Sequence, residues 1–105
     1  MTRRDALIAL ENAVVAGDPI GYLSRPYELH TDLCWKACNG SLDAAKALHD
    51  ALLPGWFPGL SQNTITKNWC AWVQTDKRAH ISVFGRDPAR AWLIAILRAL
   101  ISEAE

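Results

Sequence analysis

Apolar residues recur at helical spacing along the first half of the chain, switch to alternation with polar ones, and return to helical spacing at the C-terminus. Ala6, Leu7, Leu10, Ala13 and Val14 predict a first helix from about Thr2 to Ala16, with Thr2 as N-cap, Asp5 three positions on and Gly17 as the stop. A second helix is expected from about Pro26 to Cys38: Pro26 suits a first turn, Glu28 sits near the positive end of the dipole, and Asn39-Gly40 supplies a left-handed stop. Ser41 then caps a third, "SLDAAKALHDALL", with Leu42, Ala45, Leu48 and Leu52 as its apolar side and Pro54-Gly55 as its end.

Beyond that point the period shortens. "WCAWVQT" (Trp69 to Thr75) and "AHISVFG" (Ala79 to Gly85) are rich in aromatic and β-branched residues, and the polar link "DKR" joins them as a hairpin turn would. An edge or first strand is expected between Trp56 and Thr66, where Pro58 and Gly59 argue against a central position. Ala71 and Val73 alternate with Cys70, Trp72 and Gln74, and Ile81 and Val83 with His80, Ser82 and Phe84, so both faces carry apolar groups. Such a sheet is covered on two sides, or covered on one and used for contact on the other. Asp87 as cap and Pro88 at the first helical position open a closing helix, "ARAWLIAILRALISEAE", that runs to the end.

This order predicts an α+β fold, α-α-α-β-β-β-α, in which a three-stranded antiparallel meander receives the third and closing helices. A chain of 105 residues, half of them hydrophobic, fits one domain over 1–105: a helical N-terminal part (1–40), then helix, three strands and helix (41–105).

Charge narrows the partners. Eleven Lys and Arg offset eleven Asp and Glu, and only Arg3-Arg4 and Lys77-Arg78 form basic pairs, which disfavours nucleic acid and anionic membranes. The longest apolar run, Ala91 to Leu97, is far short of the ~20 residues a membrane helix needs, and acids interrupt the apolar N-terminus, unlike a signal peptide. A soluble, cytoplasmic protein is expected. Three cysteines without framework spacing fit a reducing compartment and no disulfide.

Ser41, Leu42, Asp43, Ala44 and Ala45, then Pro54, Gly55 and Trp56, then Trp69 and Ala71, then Pro88, Ala91, Leu97, Arg98 and Ala99 form an ordered combination. It resembles small uncharacterised phage and prophage proteins with the phage ABA-sandwich type of domain, over roughly residues 41 to 101. The resemblance implies an α/β/α sandwich and a phage, prophage or bacterial source, and it carries no activity. "LSQNTITKN" (Leu60 to Asn68) departs from that pattern and is a candidate contact with this protein's own partner.

Candidate chemistry is sparse. His30, Cys34 and Cys38 fall at intervals of four, but on a helix the outer two lie ~12 Å apart, against ligand distances of ~2.0–2.3 Å at zinc, so the three cannot share one ion. A neighbouring pair would need Cys70 or His49 as further ligands, and no metal-binding motif is present. The favoured reading makes Cys34 and Cys38 small apolar groups of a buried stripe, with no metal and no cofactor. Cys70 and His80, on the two arms of the hairpin, could face one another as a nucleophile and base, but an orienting group and an oxyanion hole are missing, and no catalytic residue is assigned.

Five tryptophans are more than a core this small accommodates easily. Trp69, Trp72, Phe84, Trp35 and Trp92 are therefore the candidate interaction surface, with Trp69 and Trp72 on opposite faces of a regular strand. The closing helix is apolar around almost its whole circumference, and its second side must meet either the N-terminal helices or another copy in a homodimer. The expectation is a non-enzymatic phage or prophage accessory protein that binds a host or phage protein and could inhibit a host defence system. Two alternatives stand beside it: a single-stranded nucleic-acid-binding module built on Trp69, Trp72 and Phe84 with Lys67, Lys77, Arg78 and Arg86, and a small metal- or thiol-dependent enzyme.

Overall fold

A computed structural model describes residues 3–16, 31–75 and 80–103. The elements are α1 (Arg3–Ala16), α2 (Thr31–Cys38), α3 (Leu42–Leu52), β1 (Phe57–Gln62), β2 (Trp69–Gln74), β3 (His80–Gly85) and α4 (Pro88–Glu103). This is the expected α+β order. The expected start of the second helix, Pro26 to His30, and the "DKR" link lie outside the described residues.

Local chemistry sets the helix ends. Gly40 adopts φ 102 after α2, its N–H donates to the Ala37 carbonyl and the Ser41 N–H to that of Lys36, which together close a Schellman stop. Ser41 Oγ accepts from the Ala44 N–H and starts α3. Leu53-Pro54-Gly55-Trp56 then reverses the chain, with Gly55 at φ 87 and the Trp56 N–H bonded to the Leu53 carbonyl, as a type II turn requires. Asp87 Oδ1 accepts from the N–H groups of Ala89 and Arg90 to begin α4. Arg90 Nε donates to the Cys38 carbonyl, so the start of α4 also closes the end of α2.

The strands form an open antiparallel sheet in the order β1-β2-β3. On its inner face Ala71, Val73 and Val83 are buried and Leu60 and Ile81 partly so, packed on α4. α1, α2 and α3 pack on α4 as well, which produces three layers: sheet, α4, then the remaining helices. The third helix, expected on the sheet, packs instead chiefly on α2 and α4. Its buried stripe is Ala44, Ala45, Leu48 and His49 rather than one led by Leu42, which is exposed, because the side that meets α4 decides which positions are covered. Among the described residues the helices thus lie on one side of the sheet.

Being in the middle explains why α4 is apolar all round. Trp92, Leu93, Ile94, Ile96, Leu97 and Leu100 are all buried by the chain's own elements. At about 2 kcal/mol per large side chain they contribute on the order of 10 kcal/mol of transfer free energy. Among the described residues the apolar circumference that suggested a homodimer through this helix is thus accounted for by the chain's own packing, without a second copy. Arg98, one of its exposed residues, pairs with Glu11 of α1 at 2.6 Å. Among the described residues, no helix is long and apolar enough to cross a membrane.

Candidate binding face on the open sheet

Strand register arranges the outer face of the sheet as three rows. Phe57, Gln74 and His80 form one, Gly59, Trp72 and Ser82 the next, and Ser61, Cys70 and Phe84 the last. Phe84 is 76% exposed and Phe57 56%, while Trp72 is half-buried. Gly59 accounts for that partial burial: a Cβ built there would lie 2.0 Å from Cε2 of Trp72 and 2.1 Å from Cζ2, so the indole covers the glycine across the strand pair. Trp72 is consequently held down on the sheet, with its outer side uncovered by any described helix.

The β1–β2 connection shapes one corner of this face. Asn63 Oδ1 accepts from the N–H groups of Ile65 and Thr66, the Asn63 N–H donates to the Asn68 carbonyl, and the Lys67 N–H donates to the Asn63 carbonyl. Lys67 takes φ 65, the left-handed conformation that closes the loop, and Ile65 stands 89% exposed at its tip. A depression of about 320 Å³ lies between this loop and Phe84, lined by Gln62, Asn63, Thr66, Asn68 and Cys70 among others. Beside it, Thr66, Lys67, Asn68 and Arg86 line a second of about 450 Å³. Among the described residues no carboxylate lines either. "LSQNTITKN" thus builds the rim of the open face.

Charge divides along the sequence. From Leu53 to Arg86 the chain carries four basic residues and one acid, Asp76, whereas the remainder carries seven and ten. The sheet segment is net +3 and the helical remainder −3, although the whole is neutral. Among the described residues of this segment the charged groups are Lys67 and Arg86, both of which line the second depression.

The other candidate surface residues separate. Trp69 points to the inner face, opposite to Trp72 as a regular strand requires, and is half-buried at the sheet's end. Trp35 is 57% exposed on α2, apart from the sheet face. Trp92 does not belong to any surface: it is buried, and its Nε1 donates to Nδ1 of His49 at 3.3 Å. His49, which the sequence offered only as a further metal ligand, is a core residue. Its Nε2 donates to the Trp56 carbonyl at 2.8 Å, so the ring proton sits on Nε2 and Nδ1 is the acceptor. Trp56 in turn donates from its indole to Glu103 Oε1, tying the α3–β1 turn to the end of α4.

The sulfur chemistry resolves toward packing. Cys34 and Cys38 are buried free thiols, and burial, with the neighbouring Cys38 adding to it, pushes the Cys34 thiol up to about 12. Cys70 and His80 share the outer face but not a register position: Cys70 pairs with Phe84 and His80 with Gln74, so the nucleophile–base pairing is not formed. His80 Nε2 instead lies 3.4 Å from Ser82 Oγ. Among the described residues no three His, Cys, Asp or Glu side chains gather as metal ligands would. His30 lies outside those residues.

Compared with models of known families, with characterised proteins and with solved structures, the chain shows no significant match. The resemblance to the phage ABA-sandwich group therefore rests on the sequence motifs alone.

Proposed function

We propose that the protein is a non-enzymatic binding module that engages a macromolecular partner through the open face of its sheet. The observation that carries this is one-sided packing: the described helices lie on the inner face, and Phe57, Trp72 and Phe84 remain on the outer one. Aromatic side chains are over-represented at binding hot spots, and a rigid sheet presents them at little entropic cost. In the phage or prophage setting that the sequence motifs imply, such a module would act in the host cytoplasm by occupying a host or phage protein, inhibition of a host defence system being one outcome. The concentration of positive charge in the sheet segment favours a second partner class, a single-stranded nucleic acid.

Affinity capture from the native host compares the wild type with a Trp72→Ala/Phe84→Ala variant and with Trp35→Ala, all checked for folding by circular dichroism. The partner should be lost with the double substitution and kept with Trp35→Ala. Equal capture by all three proteins would sink the assignment of the open face.

A further inference from the structure

We propose that the ligand of the open sheet face is a single-stranded nucleic acid, with bases on Trp72 and Phe84 and phosphates on Lys67 and Arg86. The inference rests on the binding-face assignment above and goes beyond it by naming the ligand. Three observations converge. Trp72 and Phe84 are diagonal neighbours on adjacent strands, about 8 Å apart at their backbones, a spacing that lets two unstacked bases of an extended strand each take one ring. Gly59 holds the indole down on the sheet, so its free side is presented without further ordering.

Charge complementarity comes next. Lys67 and Arg86 line the second depression, which shares Thr66 and Asn68 with the one at Phe84, and among the described residues no carboxylate pairs with either. Among the described residues Lys67 and Arg86 are the charged groups of the sheet layer, whereas every described acid lies on a helix or at a helix cap, so the sheet side is the one that attracts a polyanion. Finally, the depression at Phe84 carries the Gln62, Asn63 and Asn68 side chains, amides able to donate to and accept from base edges. A duplex keeps its bases stacked inside and offers no ring to such a platform, so single strands are the form recognised.

A fluorescently labelled oligothymidylate, its ribose counterpart and a duplex of the same length test this by anisotropy with the full chain. Both single strands should bind more tightly than the duplex, and two phosphate contacts give a slope of about −1.4 in log K against log salt. Phe84→Ala should weaken binding about tenfold with the slope unchanged. Lys67→Gln/Arg86→Gln should bring the slope close to zero, and Trp35→Ala should change nothing. Absence of single-strand binding at about 25 mM salt, where electrostatic attraction is strongest, overturns the proposal, as does equal binding of the duplex. If single strands fail while a protein is still captured through Trp72 and Phe84, the nucleic-acid assignment falls and the binding face stands. If capture is also indifferent to those residues, both fall.

Discussion

Gly59→Ala probes the geometry of the open face at a single atom. The added Cβ would lie 2.0 Å from Cε2 of Trp72, whereas carbon atoms in contact sit about 3.5–4.0 Å apart. Relief takes a displacement of about 1.5 Å or more, so the indole must leave its rotamer or β1 must draw away from β2. Overpacking of this kind costs about 1–3 kcal/mol. In a Trp72→Ala background the space is vacant, and the same substitution removes only glycine's excess freedom in the unfolded chain, a stabilisation of about 0.5–1 kcal/mol. The sign of the effect should therefore reverse between backgrounds, with a coupling of about 1.5–4 kcal/mol in the double-mutant cycle. Urea unfolding of the four proteins, followed by far-ultraviolet circular dichroism, measures it without relying on the missing tryptophan. Equal destabilisation in both backgrounds, or none in the wild type, would refute the indole's seat on Gly59.

Two further outcomes test the core. Trp92→Phe keeps most of the buried aromatic area but leaves Nδ1 of His49 without its donor, and should lower the unfolding free energy by about 1–3 kcal/mol; an unchanged urea midpoint contradicts the hydrogen bond. The Cys34 thiol, raised from 9.0 to about 12 in the folded protein, keeps its proton where the unfolded thiol has lost it. Stability should be fully present below pH 9 and decline between pH 9 and 12, with Cys34 adding up to about 1.4 kcal/mol per pH unit to the slope. A Cys34→Ala variant should lose that part of the alkaline decline, and identical pH profiles for the two proteins would show that the thiol is not desolvated.

Much of the fold was legible because local chemistry announced it. Asp87-Pro88, Ser41 and Asn39-Gly40 each end or start a helix where side-chain and backbone hydrogen bonds demand it. The alternation in β2 and β3 gave both strands and the opposite directions of Trp69 and Trp72. Which face stayed open was harder to see, since Trp72 and Phe84 look as apolar as Val73 and Val83. Packing decides it: a helix approaches closely only over small and branched residues such as Ala71, Val73 and Val83, and Gly59 opposite Trp72 was the sequence's one sign that the indole needed room outside.

The place of His49 in the core was illegible for a different reason. Its partners are Trp56 and Trp92, the latter 43 positions away, and no local pattern marks a histidine as a core residue. The same holds for the turn of α3, whose buried side is fixed by α4, an element that follows it by three strands. The charge segregation was present in the sequence as a run from Leu53 to Thr75 without any acid. It acquired meaning only once those residues were seen to form one layer.

The open sheet face, and not the exposed helical surface, is the proposed contact with the partner. A photoreactive phenylalanine analogue in place of Phe84, compared in the native host with the same analogue in place of Trp35, tests it most directly. Position 84 should give a discrete crosslinked adduct and position 35 none. No adduct at 84, or equal adducts at both positions, would contradict it.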